Sequence, residues 1–325
     1  MQHSLTRRNA LALLGASLLP MPAFAAGYPD RPIRMLVALA AGGPADAAAR
    51  AFAPHFSEAL GQSVIVETRT GASSVIGTEA AIRATADGYT LLFGSSSTFA
   101  VNPAVMKNLR FDVTSQLNLV GLVSYTPHVL VVRSTLPVNS IAELVALAKK
   151  EPGKLTYASS GTGGAIHLAS ELFKRETGTD LVHVPYRGGG PAVLGLLAGD
   201  VDVFFSDLST TIGNIQSGRL RALAMAWPTR SPQLPETPTF AEVGYPGVVS
   251  SSWFGLAVPV DTPADIVAKL HEAMTQTFAN PAYQAAIKKL GNEQFTLDPA
   301  QSKAFIKGEV AKWASVAKSA NIQIE

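Results

Sequence analysis

The stretch Leu155 to Asp180, LTYASSGTGGAIHLASELFKRETGTD, sets the organisation of the chain. It opens on a short apolar run, Leu155 to Ala158, passes through Ser159-Ser160-Gly161-Thr162-Gly163-Gly164, and then places Ile166, Ala169, Leu172 and Phe173 at helical spacing before Gly178. This reads as strand, small-residue loop and helix. Such a loop at the carboxyl end of a strand aims several backbone N–H groups and hydroxyls at one point, and the helix behind it adds the positive end of its dipole. An anion is held there without a cationic side chain. A glycine-rich connection with no ligand has the same residue pattern, so the surroundings have to decide.

The pattern recurs along the chain. Ile33 to Leu39 is an apolar strand running into Ala40-Ala41-Gly42-Gly43-Pro44-Ala45-Asp46, after which Phe52, Phe56 and Leu60 mark a helix face. Asp46 reads as its N-cap and Pro54 as a kink or a break. Ser63 to Glu67 is followed by Thr70 to Ser74 and a helix through Ile82, and Tyr89 to Phe93 ends in Gly94-Ser95-Ser96-Ser97-Thr98. Further on, Ser140-Ile141-Ala142-Glu143 is a capping box. Leu181 to Val184 leads to Pro185-Tyr186-Arg187-Gly188-Gly189-Gly190-Pro191, Val201 to Phe205 stops at Ser206-Asp207, and Leu220 to Ala226 precedes a proline-rich connector. Strands alternating with helices predict an α/β fold with a mostly parallel sheet, which binds ligands beyond the carboxyl ends of its strands.

Two long strand-like runs, Val123 to Arg133 and Val249 to Pro259, flank a complete α/β unit and read as crossings between two lobes. The first lobe then comprises residues 28–124 plus 251–325 and the second residues 125–250. Thr262-Pro263 and Asp298-Pro299 open helices in the first lobe, and Gly291 ends the helix between them. Two lobes on two crossover strands form a hinge with a cleft.

Before this fold lies a leader. Arg7 and Arg8 precede an apolar core from Ala10 to Leu19 and an Ala23-Phe24-Ala25 cleavage pattern, so residues 1–25 read as a signal peptide and the mature chain is expected outside the cytoplasm. The arginine pair fits either general secretion or twin-arginine export. The apolar core is far shorter than the ~20 residues that span a bilayer. The chain has no cysteine, hence neither a lipid-modified cysteine nor a disulfide framework. Of 26 Lys+Arg and 24 Asp+Glu, Arg7 and Arg8 leave with the leader, and the mature chain carries 24 of each sign. A neutral balance argues against nucleic acid or an anionic membrane surface as partner.

Six blocks together carry a family resemblance: YPDRPIRMLVALAAGGPADAAAR from Tyr28, GSSSTFAVNP from Gly94, PGKLTYASSGTGGAIHL from Pro152, HVPYRGGGPAVLGLLAG from His183, PTFAEVG from Pro238 and WFGLAVPVDTP from Trp253. In this order they resemble the extracytoplasmic solute receptors of the tripartite tricarboxylate transporter system, also called Bug receptors. The resemblance implies a two-lobed periplasmic binding protein of type II topology, a monomer without cofactor, that captures a small carboxylate, amino acid or aromatic acid for membrane transporter subunits. It also implies site residues. Ala41, Gly42, Gly43 and Asp46 match the first-lobe loop, Ser159, Ser160, Gly161, Thr162, Gly163 and Gly164 match the second-lobe loop that would hold a carboxylate, and Ser95, Ser96, Ser97 and Asp207 lie at strand ends facing the same cleft. His167, in the first turn of its helix, is a further candidate contact or a structural histidine, and Asp46 and Asp207 are helix caps or ligand acceptors. The chain departs from the family pattern at Ala40 and Ala41, where prolines usually stand, and at Gly71-Ala72-Ser73-Ser74, where the loop is usually richer in glycine.

Catalytic motifs are thin. No G-x-S-x-G elbow, Walker loop or H-E-x-x-H occurs. His55, His128, His167, His183 and His271 are scattered, without the spacing of a metal site. An exported hydrolase using Ser160 with His167 as base is the alternative from another class, and a receptor that signals instead of feeding a transporter is a third.

Overall fold

The computed structural model describes residues 27–295 and 297–324; the expected leader, residues 1–25, lies outside them. The chain alternates strands and helices: β1 (Ile33–Val37), α1 (Pro44–Leu60), β2 (Val64–Thr68), α2 (Val75–Ile82), β3 (Thr90–Ser95), α3 (Asn102–Val105), α4 (Val113–Gln116) and β4 (Leu117–Arg133). It continues through α5 (Ile141–Lys150), β5 (Thr156–Ser159), α6 (Ala165–Thr177), β6 (Val182–Pro185), α7 (Gly189–Ala198), β7 (Val203–Asp207), α8 (Leu208–Gln216) and β8 (Leu220–Met225). The last part holds β9 (Ser251–Pro259), α9 (Ala264–Ala279), α10 (Pro281–Lys289), β10 (Glu293–Gln294) and α11 (Pro299–Ser319).

Strand pairing divides the molecule. One half has the order β2-β1-β3-β9-β4 and the other β6-β5-β7-β4-β8, with β10 on the edge of β4. In each half three parallel strands meet an antiparallel strand that enters from the crossing region, β9 in the first and the end of β4 in the second. This repeated order is the type II arrangement of two-lobed binding proteins. β4 belongs to both halves because Leu117 to Pro127 pair with β9, whereas His128 to Arg133 pair with β7 and β8. Its 17 residues, almost all buried, extend about 55 Å at ~3.3 Å per residue, more than one lobe needs.

The return crossing lies beside the first. His128 N–H donates to Ser250 O, Ala226 N–H to His128 O and Ser250 N–H to Ala226 O, so the chain passes back between Ala226 and Ser250. The run expected to cross as Val249 to Pro259 is therefore mainly β9, a strand of the first lobe, with the crossing at its amino end.

Two apolar clusters lie in the first lobe, around Phe52, Phe93 and Tyr283 on one sheet face and Phe99, Trp253 and Trp313 on the other; a third, around Tyr157, Phe173 and Phe205, fills the second. Helix α6 serves two of them. Ile166, Ala169 and Phe173 enter the second-lobe core, while Ala165, Leu168 and Leu172 join the cluster of Phe99 and Trp313. The two stripes are offset by one residue, so the faces adjoin on one helix. The lobes thus meet through α6 and α11 as well as through the crossings.

Local readings at helix ends need three revisions. Asp46 is not the N-cap of α1: Gly43 takes that position in extended conformation and Pro44 begins the helix, where its missing N–H and fixed φ suit the first turn. Pro54 sits inside an unbroken α1. The capping box at Ser140 closes one residue early, because Ser140 Oγ accepts from Glu143 N–H but Glu143 Oε2 accepts from Asn139 N–H at 2.6 Å.

Candidate functional site: the interlobe cleft

The loops after β1 and β5 face one cleft. A cavity of about 230 Å³ is lined by Leu39, Ser73, Ser97, Asn102, Ser160 to Ile166, Asp207, Ser252 and Ile324. It adjoins one of about 600 Å³ that adds Ala40, Gly42 to Ala45, Ser95, Ser96, Gly188 to Gly190, Thr210 and Phe254. The two share Leu39, Ser97, Ser160, Ile166, Asp207 and Ser252. Among the described residues the walls contain no lysine, arginine or histidine, and Asp207 is the one charged side chain. A separate cavity of about 550 Å³ between β4 and α11, lined mainly by apolar side chains with Thr114, Lys303 and Lys307, includes neither loop.

The second-lobe loop divides its donors between holding itself and facing the cleft. Gly161 N–H donates to Ser159 Oγ at 3.2 Å, Gly163 N–H to His167 Nδ1 at 2.9 Å and Gly164 N–H to Gly161 O at 3.4 Å. The N–H groups of Ser160, Thr162, Ala165 and Ile166 make no bond within the described residues. These are the free donors at the amino end of α6, where the helix dipole favours negative charge. The first-lobe loop behaves alike: Gly42 N–H donates to Asp46 Oδ2 at 2.9 Å and Gly43 N–H to Ala40 O at 3.2 Å, leaving the N–H groups of Ala41, Ala45 and Asp46 free.

Four expected contacts accordingly fall outside the lining. Ser159 is wholly buried, with its Oγ 2.6 Å from His183 Nε2. His167 is buried as well; its Nδ1 accepts from Gly163, and its ring stacks on His183 at 3.8 Å, with the Tyr157 ring 5.0 Å from His183 and 6.1 Å from His167. Burial, and after it the neighbouring His183, pull the His167 imidazole down to about 4, so the ring is neutral and its second nitrogen carries the proton. Burial also lowers the His183 imidazole. Asp46 is buried in the first turn of α1, where hydrogen bonding from Arg50 holds its carboxyl below the usual range. Ala41 is exposed at the loop tip. Ser159, His167 and Asp46 therefore shape the loops from behind.

The Ser160 and His167 pairing of the hydrolase alternative is not formed, since the Nδ1 of His167 is occupied by Gly163. The close serine–histidine contact, Ser159 with His183, lacks an exposed oxygen for attack. On the first-lobe side, Ser95 and Ser96 are buried and Ser97 half-buried; Ser95 N–H donates to Thr98 Oγ1 at 3.2 Å.

Several wall residues were not read from the sequence. Asn102 donates to Ser73 O at 2.6 Å and Ser74 Oγ at 3.1 Å, joining the loop before α2 to the turn after β3. Ser73 and Ser74 hold left-handed backbone conformations, φ 52° and 80°, which explains why glycine suits this loop. Ser252 and Ile324 arrive from distant parts of the chain, and no local pattern marks them.

The family model described as "Tripartite tricarboxylate transporter family receptor" matches residues 48–322. The chain belongs to that family. This receptor is 37% identical to the protein BugT of Bordetella pertussis (strain Tohama I) over 305 residues, 94% of each chain. Its fold matches the periplasmic binding protein BugD with a TM-score of 0.78 at 35% identity, covering 92% of this chain and all of that one. It matches R. palustris Rpa4515 with adipate with a TM-score of 0.81 at 32% identity, covering 91% and 99%. Family and neighbours are solute-binding receptors, and no helix among the described residues is long and apolar enough to cross a membrane.

Proposed function

We propose that this receptor captures a small carboxylated solute between its lobes in the periplasm and passes it, chemically unchanged, to membrane subunits of a tripartite transporter. One observation carries the reading. A cleft is bounded by two loops from opposite lobes, each ending at a helix amino terminus with free N–H groups, and among the described residues no basic side chain lines it. Main-chain donors take the place of a guanidinium clamp. One carboxylate oxygen pair seats on the N–H groups of Ser160, Thr162, Ala165 and Ile166. The rest of the solute faces Ala45, Gly42, Gly43 and the serines at 95–97.

The lobes, residues 28–124 plus 251–325 and residues 125–250, close over the solute by rotation about the paired crossings at His128 and Ser250. The protein acts as a monomer without cofactor. The relative that carries adipate supports carboxylate as the class.

A thermal-shift and calorimetric screen of the mature protein against small carboxylates, amino acids and aromatic acids tests this. A one-site ligand at about a hundred times its Kd stabilises the native state by ~2.7 kcal/mol, and the compound is expected back unchanged. Consumption of the ligand would favour the hydrolase, and a small-angle scattering curve unmoved by saturating ligand would sink the closing motion.

A further inference from the structure

We propose that this receptor has a second binding site, separate from the cleft, that takes an aliphatic monocarboxylate: the chain lies between β4 and α11 and the carboxylate on Lys303 and Lys307. The cavity there holds about 550 Å³ and shares no lining residue with either part of the cleft. The inference is independent of what the cleft binds.

The walls set the apolar half of this ligand. Phe99, Val113, Leu117, Leu119, Ile306 and Val310, all from the first-lobe cluster of Phe99 and Trp313, line the cavity. Close-packed interiors leave few voids larger than a water molecule, and an apolar cavity of this size with a small number of polar groups has the form of a small-molecule site. Branched aliphatic side chains dominate, and the ring of Phe99 already stacks on Trp253 at 6.1 Å. An alkyl chain therefore suits these walls better than an aryl group, which gains most from a free ring face.

Helix α11 sets the polar half. Lys303 and Lys307 are four residues apart, hence on one face of the helix; both are exposed and both line the cavity, and no acidic residue does. Neither has an ion pair or hydrogen bond among the described residues, whereas Lys312 of the same helix pairs with Glu309. The acids that flank these elements in sequence are engaged elsewhere. Asp298 Oδ1 accepts from Gln301 N–H at 2.7 Å, Asp112 Oδ1 from Thr114 N–H at 2.8 Å and Glu309 Oε2 from Trp313 Nε1 at 3.0 Å. Lysine stems cover apolar surface without any ligand, but two uncompensated ammonium groups over an apolar cavity complement an anion with an apolar tail. A diacid would press its second carboxylate against the apolar wall, at the cost of desolvating it.

Calorimetric titration of the mature protein with hexanoate, octanoate, decanoate and dodecanoate, each below micelle formation and beside the alcohol of equal length, tests this. Affinity is expected to rise along the ladder. Decanoate should bind about five- to thirtyfold tighter than decanol, and high salt should shrink the difference. Lys303→Gln combined with Lys307→Gln should close that gap and leave decanol unchanged. Ala311→Trp, at an exposed position of the lining, should fill the cavity and abolish binding of both, whereas Gly163→Ala, in the cleft loop, should leave decanoate affinity within about twofold. No binding to the wild type, equal affinity for acid and alcohol, or loss of decanoate in Gly163→Ala but not in Ala311→Trp overturns the inference. The wild-type comparison of acid with alcohol decides it even if a variant fails to fold.

Discussion

Gly163 offers the sharpest test of how the lobes meet. Its φ is +72°, and a Cβ there would overlap Ile324 Cδ1 and lie 3.0 Å from Ile324 Cγ1. Gly163 belongs to the loop after β5 in the second lobe. Ile324 is tied to the first, its N–H donating to Val105 O and its carbonyl accepting from Lys107 N–H. Gly163→Ala therefore has two separable effects. Left-handed strain of about 1–2 kcal/mol acts on the loop whether the lobes are together or apart. The overlap with Ile324 acts only when they meet. Displacing a half-buried isoleucine forfeits part of the ~1.5–3 kcal/mol of its full burial, about 0.8–1.5 kcal/mol if half, which is roughly a four- to tenfold loss in affinity.

Gly161 is the control, because its φ of +143° is also unusual while its Cβ would meet nothing within 4 Å. Gly161→Ala should lower the melting temperature with less than about threefold change in Kd, whereas Gly163→Ala should lower both stability and affinity, the latter by roughly four- to tenfold. Adding Ile324→Ala to Gly163→Ala should recover most of the affinity and little of the melting temperature, a coupling that a double-mutant cycle by calorimetry measures. Equal affinity losses in the two glycine variants, or no recovery with Ile324→Ala, would refute the account of lobe contact.

Two further outcomes concern stability. His167 is lowered from the ordinary histidine value of 6.5 to about 4, so the unfolded chain binds a proton that the folded one refuses: the stabilisation is full above pH 6.5 and is lost as pH falls towards 4. Urea unfolding should show a slope of up to about 1.4 kcal/mol per pH unit from this proton in that window; His183 adds in the same direction, and His167→Gln should flatten the slope, an unaltered slope counting against a neutral buried ring. Ser73, at φ 52°, should accept glycine with a gain of about 0.5–1 kcal/mol, left-handed strain relieved less the added chain entropy, seen as a rise of about 2 °C in Tm; a fall in Tm would show that the serine hydroxyl contributes more than its backbone strain subtracts.

The amino-acid sequence by itself determined the two-lobed α/β fold and its family. Strand, small-residue loop and helix follow from local spacing, and the block order from Tyr28 to Pro263 is a property of the chain alone. The Ser160 to Gly164 loop was legible for the same reason, since glycines before an amphipathic helix encode a helix amino terminus directly. The tertiary structure decided which donors of that loop are free. Gly163 N–H turns inward because His167, four residues on, stacks on His183 from the next strand and presents Nδ1 to it. Ser159 turns inward because β6 brings His183 beside it. It also decided that α6 packs on both lobes, and that Asp207, legible as a helix cap, lies in the wall without a capping bond to α8. Each of these depends on groups far apart in sequence, and burial, which determines whether a polar group needs a partner, is a property of the assembled lobes.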